Sequence, residues 1–125
     1  MDYRSWEKEL FAKYPIFFGE RNNEKSQMRY GILCESGWKD LIEKVASAVE
    51  KKNNDEKTKI FIKAKRIMEL DGLLKIDINV LDNDVLAFIY NIEKESEGVC
   101  EICSAPGLTV NVDGMSKVRC KKCWK

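Results

Sequence analysis

Cys100-Glu101-Ile102-Cys103 and Cys120-Lys121-Lys122-Cys123, two C-x-x-C pairs with sixteen residues between them, decide how the end of this chain folds. A C-x-x-C pair can put two thiolates on one metal ion, and two such pairs complete a tetrahedral Cys₄ shell. The separation falls in the range of structural zinc sites. With sulfur at every position no place is left for a water or substrate, so the expected Zn²⁺ is structural, a single ion. Residues 98–125 are too few to build a core of their own, and domains below ~40 residues generally need a staple such as a metal. Zinc supplies ~10–16 kcal/mol of apparent free energy in small fingers, enough to fold such a segment. Pro106-Gly107 turns the chain away from the first pair. Residues 108–112, the turn Asp113-Gly114 and residues 115–119 then read as a two-stranded ribbon that returns to Cys120.

The same residue types serve other chemistries. Two disulfides in a secreted protein, four thiolates on iron, and thioredoxin-like redox pairs are the alternatives. Spacing favours zinc over iron, and the pairs lack the βαβ context of a redox motif. Five cysteines, an odd number with four at metal spacing, fit a reducing interior better than a disulfide framework. The fifth, Cys34, reads as a small buried hydrophobe beside Leu33 and the Trp38 helix. The chain contains no histidine. That excludes Ser-His-Asp and Cys-His mechanisms and histidine-bound catalytic zinc. No glycine-rich phosphate loop is present, no catalytic residue is assigned, and the chain is read as a non-enzyme.

Ahead of the cysteines, apolar periodicity outlines the body. Ser5 is placed as the cap of a helix over residues 5–14 with Trp6 and Leu10 on one face, ended by Pro15. Residues 20–27 read as an exposed loop and 28–34 as a short strand or extended lead-in. The clearest helix starts after Ser36-Gly37, where Trp38, Leu41, Ile42, Val45 and Val49 share one face, and ends in the polar run 51–57. Residues 59–80 form a hairpin about Asp71-Gly72; Leu74, Ile76, Ile78 and Val80 alternate with polar residues, whereas 64–70 also fits a helical turn. Asp82 or Asn83 caps a third helix to about Glu97, with Val85, Leu86, Phe88, Ile89, Tyr90 and Ile92 on its apolar side and Gly98 closing it.

Apolar residues make up 44% and charged residues 34% of 125, so a core is available under a well-solvated surface. The net charge of +1 argues against a dedicated nucleic-acid binder. No apolar run approaches the ~20 residues of a membrane span, and the first residues lack a signal peptide's apolar stretch. The chain is therefore expected inside the cell. Glu93, Glu95, Glu97 and Glu101 read as the solvated end of a helix. Lys117, Arg119, Lys121, Lys122 and Lys125 surround the second cysteine pair, where ribbons can meet phosphates or acidic proteins. Trp124 reads either as a lid on the metal site or as an exposed interface anchor.

The order of motifs carries a resemblance. Tyr14-Pro15-x-Phe17, Gly31-x-x-Cys34-Glu35-x-Gly37-Trp38-x-x-Leu41-Ile42, the Lys63-x-Lys65 and Leu74 strands, and Ser96-x-x-x-Cys100-Glu101-x-Cys103-x-x-Pro106-Gly107 with Cys120-x-x-Cys123 resemble a widespread group of small phage and prophage proteins. The likeness spans most of the chain. It departs where Met115 follows Gly114 in place of the group's tryptophan. It implies a zinc site, a phage or mobile-element origin, the cytoplasm of a host bacterial cell, and no catalytic residues.

The combined expectation is an α+β fold, about three helices with a short antiparallel sheet, divided into a body at 1–97 and a zinc ribbon at 98–125 packed on it. The expected function is non-enzymatic inhibition of a host defence protein by protein–protein binding, as in an anti-CRISPR protein acting on a Cas9-type nuclease. Lys117, Arg119, Lys121, Lys122 and Trp124 are the expected partner contacts. The alternative is a nucleic-acid-binding or transcription accessory protein whose ribbon lysines contact phosphates.

Overall fold

A computed structural model describes residues 2–55 and 60–124. Glu56 and Lys57 of the polar run, Lys59 at the head of the expected hairpin, and Lys125 lie outside the described residues. The elements are α1 (Ser5–Lys13), α2 (Lys39–Asp55), β1 (Ala64–Leu70), β2 (Leu73–Ile78), α3 (Asn83–Ser96), β3 (Leu108–Val112) and β4 (Met115–Arg119). Short 3-10 turns occupy Gly19–Asn22, Gln27–Tyr30 and Ser36–Trp38. The architecture is α+β, with β1–β2 and β3–β4 as separate antiparallel pairs.

α2 forms because Leu41, Ile42, Val45 and Val49 recur on one stripe; all are buried, together with Ala46 and, in the turn before the helix, Trp38. It runs through the polar run to Asp55 because Asn53 is tied down. The Asn53 amide donates to the Ile62 carbonyl and accepts the Ile62 N–H, both at 2.9 Å. α1 begins one residue earlier than a Ser5 cap would place it: Arg4 is the cap residue, and its N–H donates to Glu7 at 2.9 Å. The other Glu7 oxygen accepts the Ile32 N–H at 2.7 Å. Glu50 plays a similar part for the turn after α1, accepting the N–H groups of Ile16 and Phe17 at 3.1 and 2.8 Å. Phe17 and Phe18 can then both enter the core.

Residues 28–34 are not a regular strand. After the turn at Gln27–Tyr30, Gly31 adopts φ 81° and only Leu33 bridges to β1, in parallel with Met68. Its N–H donates to Ile67 at 2.9 Å and its carbonyl accepts the Glu69 N–H at 3.0 Å. The segment at 20–27 is likewise partly ordered into 3-10 turns, and Met28 is fully buried.

The β1–β2 hairpin closes on Asp71-Gly72 with φ 52° and 83°, the mirror-image turn whose twist suits paired strands. A bulge between Ala64 and Arg66 shifts the register. β2 presents an outer edge, and α3 covers it: the Leu74 N–H donates to Ser96 Oγ at 3.1 Å and the Ile76 N–H to Glu93 at 2.9 Å. Asp82 caps α3, accepting the Val85 N–H at 3.1 Å. The buried stripe of α3 is Val85, Ile89, Ile92 and Ser96; Leu86, Phe88 and Tyr90, expected on that side, face solvent. A helix lying along a single strand edge covers only one narrow stripe. The helix ends at Ser96, and the Gly98 N–H donates to the Glu95 carbonyl at 3.1 Å without a left-handed backbone.

One continuous cluster holds Trp38, Phe17, Met28, Ile42 and Ile67, and Val118 of β4 belongs to it. The ribbon is thus sewn into the body by its own core residue.

Candidate metal centre

The two cysteine pairs sit in knuckles, at the entry to β3 and the exit from β4. Asp113-Gly114, with φ 50° and 85°, folds β4 back on β3 in the register Val112↔Met115, Val110↔Lys117 and Leu108↔Arg119. This brings Cys120 to Cys103, with Sγ atoms 3.5 Å apart, and all four Sγ atoms of Cys100, Cys103, Cys120 and Cys123 lie within 4.8 Å of one another. Four sulfurs at about 2.3 Å from a tetrahedral zinc are about 3.8 Å apart, so the cluster matches such a shell.

The local backbone is built to receive negative sulfur. Cys100 Sγ accepts backbone N–H groups from Cys103, Cys120 and Ile102, Cys103 Sγ one from Ala105, and Cys120 Sγ those of Cys123 and Lys122. Ser104 takes φ 71° to turn the chain after the first knuckle. Burial pushes the Cys100 thiol up, but the N–H groups outweigh it and bring the group down to about 6. Cys123, hydrogen-bonded to Cys120 and beside the other sulfurs, is pushed up to about 12. Four thiols this close do not all ionise unaided, and a divalent cation removes that opposition. The donor set therefore fits one metal ion; when bound, zinc would cross-link the two knuckles, held by these four residues.

The first knuckle is anchored in the body. The Glu101 carbonyl accepts the Gly37 N–H at 2.6 Å, and the Val99 carbonyl accepts Trp38 Nε1 at 2.9 Å. Ser104 Oγ donates to the Gly37 carbonyl at 2.6 Å. Glu101, expected on a solvated helix end, is buried: its carboxylate accepts the Glu35 N–H at 3.1 Å and pairs with Arg119 at 3.2 Å. Glu93 is half-buried on the β2 edge, while Glu95 and Glu97 are exposed. Sequence reasoning missed Glu101 because its position beside Cys100 says nothing about the backbone N–H waiting for it.

The expected partner residues divide. Lys117 is ion-paired with Glu69 at 2.5 Å with both side chains largely buried, and Arg119 is committed to Glu101. Lys121, Lys122 and Trp124 are exposed. Cys34 is buried, and burial, with the Glu101 charge next, holds its thiol far above the ordinary range, so it stays neutral. A cleft of about 870 Å³ lies between residues 20–27, the β1–β2 hairpin and α3. Within it Arg66 pairs with Asp77, and Glu93 is held by the Ile76 N–H. Among the described residues no helix is long and apolar enough to cross a membrane.

No protein-family model, curated protein or solved structure matches the chain.

Proposed function

We propose that this chain is a zinc-stabilised, non-enzymatic binding protein that acts by occupying a protein surface. The observation that carries the reading is the commitment of Lys117 and Arg119 to Glu69 and Glu101, which takes the two cations on the ribbon's strands out of any phosphate track. A loaded Cys₄ site carries a net charge of about −2, so Lys121 and Lys122 also balance the metal centre they flank. Trp124, Leu108 and Met115 are exposed on the ribbon, side chains of the kind that anchor protein interfaces. The partner class, a host defence protein such as a Cas9-type nuclease, rests on the sequence resemblance alone, as does a phage origin.

The test is a pull-down from bacterial lysate with metal-loaded protein after nuclease treatment. Recovery of a defence nuclease supports the reading, and loss of that capture in Trp124→Ala would place the contact on the ribbon. If every partner disappears with nuclease treatment, the nucleic-acid reading replaces it; binding to DNA or RNA would then fall steeply with salt.

A further inference from the structure

α3 meets the body through its buried stripe, Val85, Ile89, Ile92 and Ser96, and leaves the next stripe uncovered. Leu86 and Tyr90 stand on that uncovered stripe, one turn apart. Beside them runs the outer face of the β1–β2 hairpin, where strand alternation turns Leu73, Lys75 and Asp77 away from the buried Leu74 and Ile76. These two faces bound the cleft of about 870 Å³, and residues 20–27 form its other wall. Toward the hairpin turn it continues into a narrower cleft of about 250 Å³ that reaches Leu70 and Leu73; Lys75, Tyr90 and Glu93 line both. The two make one groove beside α3, a helix of 14 residues and about 21 Å.

Leu81, Leu86, Tyr90, Leu73 and Leu70 follow one another along this groove. All five are exposed, from 36% at Leu86 to 93% at Leu81. Large apolar side chains gathered in a concave surface are what a groove for a partner's segment presents.

Charge narrows the choice of segment. In the wider part four cations face three carboxylates, and each carboxylate is already bonded. Asp77 is held by Arg66 at 2.7 Å, Glu93 accepts the Ile76 N–H at 2.9 Å, and Glu20 accepts from the Asn23 amide at 2.8 Å. The ammonium groups of Lys25, Lys65 and Lys75 have no acceptor among the described residues. The cations left to meet a partner therefore stand beside an apolar line, and their complement is a segment with carboxylates next to leucine-type side chains. A nucleic acid fits less well. Its phosphates would pass three carboxylates, and only Tyr90 offers a ring on which a base could stack.

We propose that this groove binds an acidic, amphipathic segment of a partner protein, its apolar side against α3 and its carboxylates toward Lys25, Lys65 and Lys75. The site is separate from Trp124 of the ribbon, which is not among the residues that line it. The test is fluorescence anisotropy with the metal-loaded chain and a fluorescein-labelled peptide of two Glu-Leu-Leu-Glu-Glu-Leu-Glu repeats. Saturable binding below about 1 mM is expected. The variant K25E/K65E/K75Q should bind about tenfold more weakly, with unchanged zinc content and Trp38 emission. Leu81→Ser, at a side chain almost wholly in solvent, should also weaken binding, whereas Trp124→Ala should leave it unchanged and so separates this groove from the ribbon contact. No saturable binding overturns the proposal. Equal binding of a peptide with serine in place of every leucine, or of the lysine variant, overturns it as well. Tighter binding of a twenty-residue oligothymidylate would hand the groove to nucleic acid, and self-association that Leu81→Ser abolishes would hand it to a second copy; either result overturns the proposal.

Discussion

Gly37→Ala adds one methyl group where the first cysteine knuckle meets the start of α2. The added carbon would fall well inside contact distance of the Cys100 carbonyl oxygen and of the Glu101 carbonyl group. These are backbone atoms of a knuckle fixed by its own hydrogen bonds, so they cannot swing aside as a side-chain end would. Admitting the methyl means parting the two segments, which breaks Gly37 N–H to Glu101, Glu35 N–H to the Glu101 carboxylate, and Ser104 to the Gly37 carbonyl. At about 1 kcal/mol net for each, the expected loss is about 3 kcal/mol. Gly37 is not in the left-handed region, so alanine there carries no backbone strain of its own. Without the close approach, the substitution would instead stabilise the protein by about 0.4–1 kcal/mol through the unfolded chain. The two cases differ in sign. Urea denaturation of metal-loaded wild type and variant, with zinc affinity measured in parallel, distinguishes them. A variant as stable as wild type, or more so, with unchanged zinc affinity, would refute the docking of the knuckle on α2.

Cys120→Ser should abolish binding of the single zinc ion, read by metal analysis, and should change Trp38 emission, because its indole N–H donates to Val99 beside the knuckle. Cys34 should resist iodoacetamide at pH 8 in the folded, metal-loaded chain and react once the chain is unfolded, since burial holds its thiol neutral; rapid native alkylation at this position would contradict that environment. Asp82→Ala removes the α3 cap and should cost about 1 kcal/mol at neutral pH. The Asp82 carboxyl is held below its ordinary 3.8, first by Lys52 and then by the Val85 N–H. Its contribution is therefore present above that value and is lost as pH falls through the lower folded-state value. The wild type–variant difference should shrink below pH 3.8, and a difference constant down to pH 2 would show that the carboxylate is not the cap.

The helices and both hairpins were legible because their signals are local. Trp38, Leu41, Ile42, Val45 and Val49 repeat at helical spacing, and Asp-Gly specifies the two mirror-image turns. That the four cysteines gather at one point was legible from spacing alone. β1 was ambiguous for a structural reason. The bulge at Lys65 moves burial from Ile62 and Ala64 to Ile67, an interval of three residues that imitates a helix. The polar residues that hold the elements together were not legible. Glu7, Glu50, Asn53, Ser96 and Glu101 are all buried, and each meets a backbone group from a distant segment, which polarity and position do not reveal. Lys117 and Arg119 looked like a free basic patch for the same reason: their acceptors lie 48 and 18 residues away.

Glu35 and Glu101, joined at the knuckle, are 66 residues apart in the chain. At about 5–20 residues per second of synthesis, the start of α2 waits about 3–13 s on the ribosome for the segment that completes it. Through that interval Gly37 and Trp38 have no knuckle to close over them. The nascent protein then exposes its largest core side chain at the stage when chaperones sample it, until the knuckle is made.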